Sequence, residues 1–187
     1  MAYNFRPSPC TNFKRSVTLN QIFDDAECDK ILTYFIDPKA AGIRPDGVID
    51  IGARNSRVAW VYPTDDKLWM YEKITIALQE ANRHHWNFQL ARIDATQLTE
   101  YSEKGHYGWH EDHGEGVHCV RKLSMVIQLT PEKDYEGGGL VLFPNTRAPR
   151  TRGSAIIFPS FVTHKVEPVT KGKRMSLVTW VEGNAFI

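Results

Sequence analysis

The sequence predicts a mainly β fold with supporting helices. From residue 97 onward the chain consists of short apolar or alternating segments separated by turns that contain glycine or proline, a pattern typical of a sandwich or barrel. Before that point, two stretches carry apolar residues at helical spacing and can cover one face of a sheet. The 187 residues suit one domain. We expect residues 1–96 to be its helical and β support and residues 97–187 to be its core.

Charge and composition argue against several classes of partner. The chain carries 23 basic and 22 acidic residues, a net charge of +1, so no large electrostatic field favours nucleic acid or an anionic membrane surface. Basic residues are bunched at 6–15, 147–152 and 165–174, and solvated loops are the plain interpretation of the first two groups. We expect no nucleic-acid and no membrane partner.

The cysteines and the beginning of the chain bear on its compartment. The N-terminus lacks an apolar signal region, and no apolar run approaches the length of a membrane span. The cysteines, Cys10, Cys28 and Cys119, are odd in number and have no C-x-x-C spacing, which favours a reducing compartment over a disulfide framework. The expected location is the cytoplasm.

Two helices are predicted before the core. Asp24 or Asp25 can cap the first, and its apolar positions are Cys28, Ile31, Leu32 and Phe35. The second follows residues 64–66, ends near residues 84–85, and has on one face Leu68, Tyr71, Ile74, Leu78 and Ala81. Residues 1–16 are predicted to be an arm.

The connection between the two predicted helices is long. Residues 37–56 are rich in glycine and proline, and a connection of that length in a compact domain is usually functional or disordered. We expect a mobile loop that closes over substrate, with basic side chains in or beside it at Arg44, Arg54 and Arg57.

Strands fill the rest of the chain. Residues 122–129 alternate, with Ser124, Val126 and Gln128 on one face and leucine, methionine and isoleucine on the other. Residues 88–93 and 97–101 are predicted to pair with each other. Residues 163–169 and 174–181 flank a short segment with a glycine, which predicts a hairpin.

The motif His110-Glu111-Asp112 suggests a metal site. Side chains two apart in a strand leave the same face, so the imidazole and the carboxylate can hold one ion. A bare His-x-Asp match is expected about 0.4 times by chance in this composition, so the motif alone is weak. His164, in a second strand-like segment, adds another imidazole. Two imidazoles and one carboxylate with open positions are the ligand set of non-haem Fe(II) oxygenases.

Arg174 suggests what else the site binds. In the predicted hairpin its side chain can point inward beside His164. A buried guanidinium is costly unless an anion meets it, and its planar fork matches a carboxylate. A small diacid that chelates the metal at one end and meets Arg174 at the other would satisfy both, with Ser176 adding a hydroxyl. A structural ion pair is the alternative for Arg174.

The ordered set of motifs resembles a known family, the prolyl-4-hydroxylase branch of the 2-oxoglutarate/Fe(II) dioxygenases. The resemblance covers roughly residues 97–182, and residues 19–28 are similar to the family's first helix. The matching positions are Tyr101, Gly105, Tyr107, His110, Asp112, Ser124, Glu136-Gly137-Gly138, Phe143-Pro144, Gly153, Phe158-Pro159, His164, Arg174 and Ser176.

This resemblance implies a double-stranded β-helix (jelly-roll) core with helices packed on one sheet. It implies Fe(II) held by His110, Asp112 and His164, and 2-oxoglutarate paired with Arg174 near Tyr101, with Ser124, Gln128 and Ser176 completing the cosubstrate pocket. The implied reaction is hydroxylation of a C–H bond with O2, giving succinate and CO2, with ascorbate as a candidate reductant. A prolyl or other side chain of a peptide or protein is the implied substrate.

The sequence departs from the family at two positions. Gln128 stands where many prolyl hydroxylases have a tyrosine that helps bind the distal carboxylate, although an amide can donate the same hydrogen bond. Trp180, six residues after Arg174, replaces the second arginine of the nucleic-acid demethylase branch.

Plainer interpretations remain beside these. Tyr101 could be a core tyrosine, Trp109 and Trp180 packing residues, and His106, His113 and His118 bystanders to the metal site. The chain could also be a hydroxylase of a small molecule or free amino acid, or a jelly-roll binding module whose ligand triad is vestigial.

Overall fold

The computed structural model describes residues 12–42, 50–93 and 95–185. Within these residues it has two α-helices, α1 (Asp25–Leu32) and α2 (Leu68–His85), and three short 3-10 turns at Asp65–Lys67, Gly116–Val120 and Glu132–Asp134. The strands are β1 Val17–Leu19, β2 Lys39–Ala40, β3 Arg54–Asn55, β4 Arg57–Val61, β5 Leu90–Arg92, β6 Thr96–Tyr101, β7 His106–His110, β8 Arg121–Gln128, β9 Tyr135–Gly137, β10 Leu140–Leu142, β11 Thr146–Arg147, β12 Ala155–Pro159, β13 His164–Val166, β14 Val169–Gly172 and β15 Arg174–Gly183.

Two antiparallel sheets face each other. The major sheet has the order β1-β12-β8-β15-β6-β4-β2, with β5 also paired to β15, and the minor sheet has the order β11-β10-β13-β7-β3. A small third sheet joins β9 and β14. Apolar side chains from both sheets pack together between them, among them Val126, Phe158, Leu142 and Val166. This arrangement is the jelly-roll core that the sequence predicts.

The helices cover the outer face of the major sheet. Asp24 caps α1 in a capping box, because its side chain accepts from the backbone N–H of Glu27 while Glu27 accepts from that of Asp24. Apolar residues of α1 and α2 share one buried cluster with the outward side chains of β8, namely Leu123, Met125 and Ile127. Burying each such side chain contributes roughly 1.5–3 kcal/mol. The predicted apolar face of α2 is confirmed except at Leu68, which is 42% exposed.

Alternation along β8 divides its side chains between two environments. Its odd-numbered apolar residues face the helices, whereas Val126 belongs to the cluster between the sheets. Ser124 and Gln128 are two residues to either side of Val126 and are buried on that same inner face. The predicted two-faced strand is therefore confirmed, and it brings polar residues to the interior of the jelly roll.

The predicted hairpin between residues 163–169 and 174–181 is wrong. β13 pairs with β10 and β7 in the minor sheet, whereas β15 pairs with β8, β6 and β5 in the major sheet. The intervening β14 pairs with β9 instead. Gly172, at the end of β14, packs so closely on the backbone of Asp134 that a Cβ at this position would lie 2.2 Å from the Asp134 carbonyl oxygen. The chain therefore crosses between sheets here, because long-range pairing to β9 replaces the local turn.

A second predicted pairing is also wrong. β5 pairs with the end of β15, with Arg92 opposite Glu182, and does not pair with β6.

The predicted loop at 37–56 contains the short strands β2 and β3, and its central residues 43–49 lie outside the described residues. Residues 1–11 of the predicted arm lie outside them as well. Neither helix in the described part of the chain is long and apolar enough to cross a lipid bilayer.

Candidate active site

Two adjacent strands of the minor sheet bring three potential metal ligands together. His110 ends β7 and His164 begins β13, and the two residues are directly opposite in the antiparallel register. Asp112 follows His110 by two residues. The ligand atoms of these three residues all lie within 4.8 Å of one another. Nε2 of His164 is 3.5 Å from Oδ2 of Asp112, and Nε2 of His110 is 3.9 Å from Oδ1.

Each imidazole is oriented by its own strand. Nδ1 of His110 is 2.8 Å from the Gly108 carbonyl oxygen, and Nδ1 of His164 is 2.9 Å from that of Val162. A carbonyl can only accept, so Nδ1 carries the proton in both rings and Nε2 presents its lone pair to the centre of the cluster. The Tyr107 ring stacks on the His110 ring, with centroids 3.5 Å apart and an interplanar angle of 14°, and this contact restricts rotation of the imidazole.

Two serines fix Asp112, Ser124 at its carboxylate and Ser160 at its backbone. Ser124 donates to its Oδ2 at 2.7 Å, and the Ser124 hydroxyl also lies 3.0 Å from that of Ser160. The Ser160 carbonyl accepts from the backbone N–H of Asp112 at 3.0 Å. The structure thus places Ser124 against a candidate metal ligand, outside the residues that line the adjoining pocket.

Burial and mutual charge set the protonation of the cluster. Burial, with a smaller effect from His164, lowers the pKa of His110 to about 4. Burial alone would raise the pKa of Asp112, but the adjacent imidazoles of His164 and His110 and the Ser124 hydrogen bond outweigh it, so this pKa is lowered. At neutral pH His110 is therefore neutral and Asp112 is charged. The imidazoles of His110 and His164 and the carboxylate of Asp112 face one pocket, and this ligand set fits a ferrous ion.

Arg174 faces the same pocket from the major sheet. It is 1% exposed, and its Nε and Nη2 have no hydrogen-bond partner among the described residues. Burial lowers its pKa, and the neighbouring Tyr101 and Tyr135 oppose that shift. A buried cation without a paired anion costs several kcal/mol, so this wall of the pocket is suited to an anionic ligand.

The other predicted cosubstrate residues surround Arg174. Tyr101 lies opposite it on β6 in register and is buried, with the guanidinium 5.5 Å from its ring. Burial raises the pKa of Tyr101, so its phenol stays protonated and can donate. Ser176 lines the pocket two residues on. Gln128 is paired with Ser176 across the sheet and is buried, but it is not among the pocket-lining residues.

A pocket lies between the two sheets, where the candidate metal ligands and Arg174 meet. Its walls include Gln97, Thr99 and Trp180, whose site positions the sequence interpretation did not identify. Gln97 and Thr99 could have been found, because they alternate with Tyr101 on β6 and so share its face. Trp180, predicted to be a packing residue, shares a face of β15 with Arg174 and Ser176 in the same way.

The arginines of the predicted substrate loop separate in the structure. Arg54 lines the pocket, with its guanidinium 4.6 Å from the Tyr107 ring and Nη2 donating to Gln97 at 3.0 Å. Arg57 lies 3.5 Å from Glu100 instead, and Arg44 lies outside the described residues.

The neighbouring histidines lie apart from the ligand cluster. Nδ1 and Nε2 of His106 are 3.0 Å and 3.1 Å from the carbonyl oxygens of Lys104 and Gly52. Neither His113 nor His118 belongs to the ligand cluster, which is the one such group in the described parts of the chain.

Comparison with known proteins agrees with this geometry. Residues 96–182 match the 2OG-Fe(II) oxygenase superfamily. A PKHD-type hydroxylase of Alteromonas mediterranea is 40% identical over 100 aligned positions, and the alignment covers 49% of this chain and 44% of that protein. The match thus spans less than half the length of this relative.

Solved structures share the fold over nearly the whole chain. A Pseudomonas putida prolyl-4-hydroxylase superposes with a TM-score of 0.71 at 19% identity, covering 90% of this chain and 92% of the other. A Trichoplax adhaerens prolyl hydroxylase in complex with a peptide fragment of hypoxia inducible factor superposes with a TM-score of 0.75 at 16% identity, covering 92% and 84%. The chain is thus similar to the 2OG-Fe(II) oxygenase superfamily over residues 96–182, and it shares its jelly-roll fold with these two prolyl hydroxylases.

Proposed function

We propose that this chain is an Fe(II)- and 2-oxoglutarate-dependent oxygenase that hydroxylates a C–H bond in a prolyl or other side chain of a peptide or protein. One observation carries the proposal. Three potential metal ligands face one pocket between the sheets together with the buried Arg174, whose Nε and Nη2 have no hydrogen-bond partner among the described residues. Such a pocket suits a ligand with a chelating end for the metal and a carboxylate for the arginine.

His110, Asp112 and His164 would hold the iron. When bound, Fe(II) and 2-oxoglutarate supply the oxidising chemistry, in which one atom of O2 enters the substrate C–H bond and the other enters succinate as CO2 is released. The chain contributes orientation: backbone carbonyls fix both imidazoles through Nδ1, and Ser124 fixes the carboxylate of Asp112.

The remaining pocket residues would hold the cosubstrate and limit water. Arg174 would pair with the distal carboxylate of 2-oxoglutarate, with Ser176 beside it, from the major sheet. Four apolar side chains also line the pocket, namely Val126, Leu140, Val166 and Val178. A dry lining strengthens the charge pairing at Arg174 because the local dielectric constant is low.

A groove next to the pocket supports a peptide as the substrate. Trp180 lines both the pocket and a second, open cavity of about 430 Å³. That cavity is also lined by Arg121, whose guanidinium lies 4.4 Å from the Trp180 ring, and by Trp60, which is 47% exposed. An open aromatic groove can accept an extended segment, and the Trichoplax structure is of a peptide complex.

The test is oxygen-dependent formation of succinate from 2-oxoglutarate in the presence of Fe(II), with candidate peptides followed by mass spectrometry for the gain of one oxygen atom. We expect wild-type turnover to be lost in Asp112→Ala and kept in His84→Ala, because His84 is an exposed residue of α2. Failure of the wild type to form succinate with any peptide would contradict the proposal. Succinate formation with a free amino acid but no peptide would assign the activity to a small-molecule hydroxylase instead.

A further inference from the structure

Tyr135 is a buried tyrosine next to Arg174. It begins β9 and is 3% exposed. Within the described part of the chain its hydroxyl makes no hydrogen bond of standard geometry, but it lies close enough to Arg174 to oppose the fall in the pKa of that guanidinium. A Cβ placed on Gly138 would lie 3.2 Å from Cδ of Arg174 and 3.4 Å from Cε2 of Tyr135. The two side chains therefore converge on the same glycine, which leaves them room to approach each other.

One face of the Tyr135 ring packs against Arg150. The Arg150 guanidinium lies 4.4 Å from the ring centroid, and it donates to the backbone carbonyls of Tyr135 and Gly137, each at 3.0 Å. The Tyr135 ring is thus packed between the Arg150 guanidinium and the side chain of Arg174 beside Gly138. Because the ring is already fixed, a hydrogen bond from its hydroxyl to a ligand costs little conformational entropy.

Among the residues that the structure describes, the buried polar atoms without partners around Arg174 are mostly donors. Nε and Nη2 of Arg174 can only donate, and the hydroxyl of Tyr135 can donate or accept. The atom of Gln128 without a partner is its amide oxygen, which cannot donate to a carboxylate. Leaving several such groups buried and unpaired is unfavourable, whereas one carboxylate could accept from the arginine and the tyrosine together.

We propose that the Tyr135 hydroxyl donates a second hydrogen bond to the distal carboxylate that pairs with Arg174. In this chain β9 would then supply the phenol that many prolyl hydroxylases carry at the position of Gln128. Tyr135 acts as a determinant of affinity for a dicarboxylate and does not touch the metal. This inference rests on the proposed use of 2-oxoglutarate.

Calorimetric titration of the Mn(II)-loaded protein tests the assignment without turnover. Tyr135→Phe removes only the hydroxyl, and we expect it to weaken 2-oxoglutarate about ten- to hundredfold, as for a hydrogen bond to a charged group. Binding of 2-oxobutyrate, which keeps the 2-oxo acid end and lacks the distal carboxylate, should not change. Tyr62→Phe, at an exposed tyrosine, is the matched control, and Gln128→Met should weaken 2-oxoglutarate less than Tyr135→Phe does.

The outcomes distinguish a failure of the proposed function from a failure of the role assigned to Tyr135. If the wild type binds no 2-oxoglutarate, the proposed function and this inference both fail. If the wild type binds it and Tyr135→Phe binds it equally well, or loses 2-oxobutyrate to the same extent, only the role of Tyr135 is wrong. Unchanged Mn(II) affinity and an unchanged unfolding midpoint in Tyr135→Phe establish that the variant is folded.

Discussion

His164 and Arg174 lie in opposite sheets and line one pocket, although only ten residues separate them in the chain. His164 begins a strand of the minor sheet and Arg174 begins a strand of the major sheet. The chain between them crosses from one sheet to the other by way of β14. The candidate metal ligands and the candidate carboxylate site are therefore on opposing walls, and a ligand that bridges them spans the inside of the jelly roll.

Replacing Arg174 should weaken binding of 2-oxoglutarate and leave metal affinity unchanged. Arg174→Ala removes the buried guanidinium, and we expect the dissociation constant for 2-oxoglutarate to rise at least about thirtyfold, since losing one partner of a buried charge pair costs roughly 2–5 kcal/mol. Metal affinity should be unchanged because the guanidinium does not belong to the ligand cluster. Calorimetry with Mn(II) and then 2-oxoglutarate measures both. An equal loss of metal would show that Arg174 is structural.

Ser124 should affect the metal and not the cosubstrate. Ser124→Ala deletes the 2.7 Å hydrogen bond to Asp112, and the loss of a partner that orients a ligand typically lowers metal affinity 10–100-fold. We expect that loss in a competition titration with a chelator, with normal 2-oxoglutarate affinity once the site is saturated. The opposite result, normal metal affinity and weaker 2-oxoglutarate, would return Ser124 to the cosubstrate role that the sequence suggested.

The packing of α2 on the major sheet predicts a contrast between two isoleucines. Ile74 is fully buried and Ile76 is 67% exposed on the same helix. Ile74→Ala should lower the free energy of unfolding by about 2–5 kcal/mol, whereas Ile76→Ala should change it by about 0.5 kcal/mol or less. Urea denaturation measures both variants. Similar losses would mean that this face of α2 does not pack on the sheet as described.

Ionisation of the buried Cys28 thiol should lower the free energy of unfolding at high pH. Burial raises the pKa of its thiol from 9.0 to about 11. Between these values the unfolded chain has lost the thiol proton and the folded chain has kept it, so the unfolded state is favoured as pH rises. No stability is lost below the unfolded pKa, and the loss reaches about 2–3 kcal/mol above the folded pKa.

Denaturation at about pH 8 and about pH 10.5 measures this effect by linkage. We expect Cys28→Ala to lose less stability than the wild type between the two conditions, whatever its stability at the lower pH. Cys119→Ala is the matched control because Cys119 is exposed, and it should behave as the wild type does. An identical pH dependence in all three proteins would rule out a role for the Cys28 thiol.

Local patterns in the sequence were sufficient for much of the site. The spacing of His110 and Asp112 predicted a shared face, and the alternation of residues 122–129 predicted which side of β8 is internal. The same rule applied to β6 would have added Gln97 and Thr99 to the site. The capping rule likewise limited the start of α1 to Asp24 or Asp25, and in the structure Asp24 is the cap.

Strand partners could not be predicted in this way. A glycine-containing turn between two strand-like segments signals a hairpin locally, but the segment at 169–172 pairs with β9, more than thirty residues earlier in the chain. The same long-range pairing brings Tyr135 to Arg174. Nothing in the sequence around either residue marks that proximity, because it depends on how the chain crosses between the sheets.

Anaerobic titration of the Fe(II)-loaded protein with 2-oxoglutarate, followed by visible charge-transfer absorption, tests the central claim most directly. We expect the absorption to saturate at one equivalent of 2-oxoglutarate per chain in the wild type and to be absent in His164→Ala. No absorption in the wild type, or the same absorption in His164→Ala, would contradict the assignment of this cluster as the iron and 2-oxoglutarate site.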